Sequence, residues 1–315
     1  MTVADPPLRK RSFAAWLSYQ PYLMLSLMSL FWAGNIVLGR FVAGHIPPFT
    51  LTFVRWAGTF LVLAPFAWPY LQRDWPVMRR HLPLLLMLAL TGFALNNAFS
   101  YWGLQHTQAL NALLIQSSGP LFVALWSLIL FRVRLTWAQT IGIVVSLVGV
   151  LVIILRGNLA GLGAIELNIG DLMFATALCV FGLYSALMPR RPDTNPLSLM
   201  AFTTGAGALM LAPLVGWEVS IGETLTFDTL TVLTLVFVVI FPSTLAYLFF
   251  NRGIELIGPN RAAPFFHLVP VFGSVMAIVL LGEKPELFHL VGYVLVLAGI
   301  FTASRRGSAR TSSRS

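Results

Sequence analysis

Residues 99–157 can be laid over residues 249–307 without a gap, at an offset of 150, and this internal repeat restricts the chain to folds built from two copies of one unit. The pairs Gly103/Gly253, Ala112/Ala262, Pro120/Pro270, Phe122/Phe272, Gly142/Gly292, Leu147/Leu297, Gly149/Gly299 and Arg156/Arg306 are identical. Glycine and proline, which set backbone geometry, are prominent among them. Further upstream the offset becomes 148. There Pro48, Leu51, Leu61, Leu63, Ala64 and Pro65 lie over Pro196, Leu199, Leu209, Leu211, Ala212 and Pro213, and Gly34 lies over Gly182.

The repeated unit is apolar. With 57% hydrophobic and 10% charged residues, 315 residues have too little polar surface to cover a soluble globule, so the chain reads as an all-α integral membrane protein whose partner is the lipid bilayer. The formal charge of +9 does not point to nucleic acid, because the basic residues sit in short connections between apolar runs. The single cysteine, Cys179, lies inside such a run and offers neither a disulfide nor a cysteine metal cluster. No metal or other cofactor is expected.

A helix needs about 20 mainly apolar residues to cross a hydrocarbon core of about 30 Å. Ten runs qualify, over 21–44, 48–71, 81–104, 107–131, 135–155, 170–189, 196–216, 229–252, 258–281 and 286–304. Five fall in each copy, and an odd number of spans makes the second copy enter from the opposite side, so the two repeats are expected to be inverted. The expected organisation is a cytoplasmic lead-in over 1–20, a first repeat over 21–155, an outer linker over 156–169, a second repeat over 170–304 and a disordered tail over 305–315. All 20 Lys and Arg except Arg40, Arg55, Arg156 and Lys284 then fall on one side, which the positive-inside rule makes the cytoplasm, with both termini there.

Depth within each span selects the candidate site. Asn35, Asn96, Asn97, Ser117, Tyr184 and His267 all fall near the middle of their runs, where inverted-repeat transporters hold substrate. An unpaired polar group in lipid costs several kcal/mol, roughly 2–7, so these side chains must face the interior or a wet cavity. Ser117 and His267 are repeat mates, each three residues before Pro120 and Pro270, which are candidate hinges; ordinary packing around a tolerated proline is the other reading. Asn96 with Ser100, and Asn97 with Tyr101, are spaced i,i+4 and give the third span a polar face: a water-filled path, or an amide network that fixes packing. Phe266 beside His267, and Trp32 three residues before Asn35, are candidate walls for an apolar substrate. Arg55, eighth in the second span, is placed either to hold a substrate carboxylate or to snorkel to the interface.

No Asp or Glu lies mid-span, so uniport is expected ahead of proton-coupled drug efflux, with His267 as the one group whose titration would reverse that order. An intramembrane enzyme using Ser117 or Ser118 with His267 lacks an elbow motif, a zinc motif and an orienting carboxylate. A nucleotide sugar would need several cations to meet its phosphates. The reading is a monomeric secondary transporter that exports small amphipathic metabolites by alternating access.

The run from Pro270 to Lys284, followed by Gly292 to Gly299, resembles the closing helix pair of the EamA repeat in the drug/metabolite transporter superfamily. The first copy, from Pro120 with Gly142 and Gly149, keeps the proline and glycines but has Phe131-Arg132 where the second has Gly282-Glu283. The opening Phe31-Trp-Ala-Gly-Asn35 is similar to the start of such a member, so the resemblance covers 21–304. It implies a ten-helix exporter of small metabolites in the bacterial inner membrane, nearest to the amino-acid exporters, including YddG-type exporters of aromatic amino acids.

Overall fold

A computed structural model describes residues 16–132, 136–155 and 168–304; the greater part of the expected lead-in and linker, the tail, and Arg134 and Arg156 lie outside them. Among the described residues every element is helical: α1 (Pro21–Phe41), α2 (Pro48–Met78), α3 (Leu82–Ala89), α4 (Asn96–His106), α5 (Ala109–Gln116), α6 (Gly119–Phe131), α7 (Trp137–Ile154), α8 (Ile169–Leu187), α9 (Pro196–Ser220), α10 (Thr229–Val239), α11 (Ala246–Ile257), α12 (Pro259–Ala262), α13 (Leu268–Leu281) and α14 (Leu287–Ser304). Proline stands in the first turn of several of them, where its missing N–H would have had no partner in any case. Five stretches are long and apolar enough to cross a membrane, and the pair α5–α6, bent by 43°, makes a sixth.

Two helix pairs form the frame, and each joins one repeat to the other. In the first, α7 and α14 touch backbone to backbone. A Cβ on Gly149 would stand 2.7 Å from the Gly292 carbonyl oxygen, and one on Gly299 would stand 2.5 Å from that of Gly142. These four glycines are two sets of repeat mates, and between them the Ser146 hydroxyl donates to the carbonyl of its own mate, Val296, at 3.2 Å.

In the second pair, α2 and α9 cap each other. The Asp74 carboxylate, near the end of α2, accepts from the Asn195 N–H and the Ser198 hydroxyl at the start of α9, both at 2.8 Å. The Glu218 carboxylate, near the end of α9, accepts from the Phe49 N–H at 2.8 Å and from the Thr50 N–H and hydroxyl at 2.7 Å. Carboxylates at helix N-termini satisfy orphan amides and oppose the positive end of the helix dipole. Glu218 thus belongs to α9, which runs past the expected span end at 216, and is 2% exposed. Glu218→Gln is expected to destabilise the fold by about 2 kcal/mol, the scale of hydrogen bonds to a charged group, read as a lower Tm in detergent; an unchanged Tm would show that the cap is not needed.

The Phe131-Arg132 departure also has a structural meaning. Arg132 (φ 50°) and its mate Gly282 (φ 68°) both end their helices in the left-handed conformation. Glycine adopts it freely, whereas Arg132 bears a cost of about 1–2 kcal/mol.

Candidate functional site

The two copies share a second irregularity, and the site is built on it. Leu90–Leu95 and Ile240–Leu245 are both π-helical and stand 150 residues apart. At one matched position Pro242 has no N–H to give an α-helical bond; at the other, Gly92 leaves room for the Tyr184 ring to lie against the backbone. Widened turns of this kind frequently occur at functional sites. Side chains cover the displaced carbonyls. Asn97 Nδ2 donates to the Phe93 and Gly92 carbonyls (3.1 and 3.3 Å), and the Ser243 and Thr244 hydroxyls donate to Val238 and Val239 (2.7 and 2.8 Å).

Arg55 lies between these segments. It is 4% exposed; its Nε donates to Ser243 Oγ at 2.6 Å, and Nη1 donates to Asn97 Oδ1 at 2.9 Å and to the Tyr101 hydroxyl oxygen at 3.2 Å. The Tyr101 hydroxyl donates onward to Asn35 Oδ1 at 2.6 Å, and the guanidinium carbon lies 4.5 Å from the centre of the Trp56 ring. Every one of these partners is neutral. The ion pairs among the described residues are His45–Asp228, Arg73–Asp74 and Arg252–Glu255, and none involves Arg55.

Aromatic rings continue from this point. Trp56 packs edge-on to Phe93 at 4.9 Å and to Tyr247 at 6.4 Å; Phe93 meets Tyr184 at 5.8 Å; Trp32 meets Tyr247 at 5.7 Å and Phe266 at 5.4 Å. Trp32 is held by its Nε1–H, which donates to the Pro242 carbonyl at 3.0 Å.

The structure therefore gathers Asn35, Arg55, Asn97 and Tyr101 into one bonded network, with Trp32 and Tyr184 on its aromatic side. The polar face expected of the third span divides: Asn96 and Ser100 are half-buried away from Arg55, and the Ser100 hydroxyl bonds the Asn96 carbonyl at 2.8 Å. Ser117 bonds the Leu113 carbonyl at the break between α5 and α6, and Pro120, exposed, follows that break. His267 is exposed at the end of the 3-10 turn Ala263–His267, with Phe266 40% exposed beside it; Pro270 is buried in the first turn of α13. Sequence reasoning missed Ser243, Trp56 and Tyr247. Tyr247 was reachable, being the repeat mate of Asn97.

The end of the bundle opposite Asp74 carries further cross-links between the repeats. There the Glu283 carboxylate accepts from the Ala109 and Leu110 amides at 2.7 and 2.8 Å, which caps α5. Asp171, 0% exposed, accepts from the Thr107 hydroxyl and, at 3.0 and 3.2 Å, from Asn111 Nδ2. His289 Nε2 meets Asn111 Oδ1 at 2.9 Å while its Nδ1 accepts the Glu286 N–H at 2.8 Å, so the network assigns the proton to Nε2. His45 reaches Asp228 at 3.0 Å. The Thr231 amide and hydroxyl, and then His45, hold the Asp228 carboxyl below the usual carboxylate range.

A buried cation at the meeting of two repeated apolar halves is the build of a membrane transporter rather than of a soluble domain. The chain belongs to the EamA-like transporter family, whose family model matches residues 20–155 and again 168–305. It is 29% identical over 288 residues to the uncharacterized transporter YyaM of Bacillus subtilis, covering 90% of this chain and 93% of that one. A protein of Salmonella typhimurium named as a probable amino-acid metabolite efflux pump is 27% identical (87% and 91% covered). One of Streptantibioticus cattleyicolor named as a probable terminal-alkyne amino-acid exporter is 26% identical (73% and 76% covered). A crystal structure at 20% identity shares the fold, with a TM-score of 0.59 over 90% of this chain and 96% of that one.

Proposed function

We propose that the protein is a monomeric ten-span carrier of the bacterial inner membrane, with inverted repeats and both termini in the cytoplasm, that exports small amphipathic metabolites, amino acids including aromatic ones among them. The observation that carries this reading is Arg55, a buried cation bonded only to neutral groups and seated between two matched π segments. A charge so placed is costly in a membrane interior unless a solute meets it. The names of the Salmonella and Streptantibioticus relatives support amino acids or their derivatives as the cargo.

By the positive-inside rule the end held by Glu283, Asp171 and His289 is the outer one, and alternating access opens and closes it about the Arg55 network. Transport is uniport: the buried carboxylates Asp74, Asp171 and Glu218 are held at helix ends by N–H or O–H donors, not at mid-span.

The test is counterflow in proteoliposomes loaded with a panel of unlabelled amino acids. Wild type and His267→Ala are expected to exchange labelled phenylalanine or leucine. Asn97→Ala is expected to lose at least about tenfold in rate, since it frees one Arg55 donor and two π-segment carbonyls. Uphill uptake driven by a pH gradient would replace uniport with proton coupling, and equal rates in the two variants would remove the network from the path.

A further inference from the structure

We propose that Arg55 is a receptor for a substrate carboxylate and that the site recognises amphipathic carboxylates without reading an amino group. This rests on the transport reading above and narrows its substrate class.

The guanidinium has five N–H donors in one plane. Those on Nε and Nη1 are placed by Ser243, Asn97 and Tyr101, while Nη2 donates to none of the described residues. The group is thereby fixed in orientation with the two N–H donors of Nη2 unspent, and a guanidinium N–H makes a charge-assisted hydrogen bond to a carboxylate oxygen. A second donor lies in the adjoining residue: the Trp56 Nε1–H is fully buried and has no hydrogen-bond partner among the described residues. A charged donor on a residue that is 4% exposed and a fully buried neutral donor beside it, both lacking an acceptor among the described residues, are completed by a bound anion.

An ammonium group has no corresponding receptor. Among the described residues the buried carboxylates are engaged elsewhere: Asp74 and Glu218 cap α9 and α2, and Asp171 is bonded to Thr107 and Asn111. A substrate amine beside Arg55 would meet a like charge and no opposite one. The guanidinium carbon lies instead 4.5 Å from the Trp56 ring and 5.9 Å from that of Tyr101, and from Trp56 the ring surface continues through Phe93, Tyr247 and Trp32, which suits an aromatic or branched body. The class is therefore apolar-bodied monocarboxylates: amino acids in which the amine is tolerated, and equally their deaminated or N-acylated forms.

The experiment is competition against labelled phenylalanine counterflow at pH 7.5, with protein-free liposomes as the leak control and thermal stabilisation in detergent as a separate binding readout. Phenylpyruvate and N-acetylphenylalanine are expected to compete as well as phenylalanine. Phenethylamine and N-acetylphenylalanine amide, which lack the carboxylate, are expected to be at least about tenfold weaker, the loss of a charge-assisted pair of hydrogen bonds. In Arg55→Gln the preference for the acid over its amide is expected to fall by about tenfold or more, and Arg55→Lys is expected to restore part of it. That ratio is read within each variant, so a lower folded yield does not imitate it.

Transport of phenylalanine with no competition from the deaminated or acylated acids would overturn the inference and leave the carrier standing. Stabilisation by the acids, but not the amide, in a protein that moves none of them would keep the inference and overturn the proposed transport. Neither transport nor stabilisation by any acid would overturn both.

Discussion

Gly299→Leu is expected to leave almost no folded, monodisperse protein. A Cβ at this position would stand 2.5 Å from the Gly142 carbonyl oxygen and 2.6 Å from the Ser146 backbone nitrogen, atoms of a helix backbone that cannot turn aside. The branched remainder of leucine would force α14 away from α7 along its length. Overpacking costs about 1–3 kcal/mol where side chains can yield, and here the obstacle is backbone, so the expected loss exceeds about 3 kcal/mol. Lipid gives no hydrophobic drive to press the two helices together again, since the tails are as apolar as the side chains. Gly216→Ala is the control: nothing stands within 4 Å of its added methyl, and the change is expected to be neutral or to stabilise α9 by up to about 1 kcal/mol. Size-exclusion yield and Tm of the two variants, side by side, make the comparison; a Gly299→Leu protein as stable as wild type would show that the seam is loose.

The second large effect is expected from Asp171→Asn. The native carboxylate offers two oxygens, both facing Asn111 Nδ2, and one of them also takes the Thr107 hydroxyl. Asparagine replaces one oxygen by an NH2 group that meets the NH2 of Asn111, a donor facing a donor in a site with no exposure. Removing the acceptor for buried donors costs about 1–3 kcal/mol, the upper end where the acceptor is charged, so a loss of about 3 kcal/mol is expected, with a matching fall in Tm. Because the lost bonds tie α8 to the start of α5, opening of this end is expected to become more frequent. With Cys179 replaced by alanine and a single cysteine placed at Leu110, 3% exposed beside the Glu283 cap, maleimide labelling is expected to quicken several-fold, by about the Boltzmann factor of the lost bonds at most. Unchanged labelling would mean that other contacts keep the end shut.

Both effects show where the amino-acid sequence speaks and where it is silent. The glycines of α7 and α14 stand out as identical repeat pairs, and their close packing is what repeated small residues in an apolar helix foretell. The Arg55–Asn97–Tyr101–Asn35 network was likewise within reach, because α1 and α2 run unbroken through Asn35 and Arg55, and the π segment before α4 leaves Asn97 and Tyr101 one turn apart on one helix. The same count, which assumes straight helices, puts Ser117 and His267 at equal depth, yet among the described residues neither joins the hydrogen-bonded network of Arg55. The break after Gln116 and the 3-10 turn before Leu268 set these two apart from the residues at equal depth. Ser243 was hidden for a related reason: a π turn shifts the register by one residue and leaves no period in the sequence to detect. The three capping carboxylates, Asp74, Glu218 and Glu283, were hidden by distance. Each lies near a helix end, as a solvated acid does, and each serves a helix more than 100 residues away or in the other repeat, such as Glu218 with Thr50.

Ser146 bonding to Val296, its own counterpart, puts one repeated position on the axis that relates the two halves. If the halves descend from a single five-helix ancestor, a residue there faced a second copy of itself, while each of the two glycines one turn to either side faced the copy of the other. Any ancestral substitution would have been felt twice in the same contact, once from each partner. Duplication and fusion removed that constraint, and the pair is now free to differ: a hydroxyl on one side, a branched aliphatic on the other, and with them a protein whose two faces need no longer behave alike.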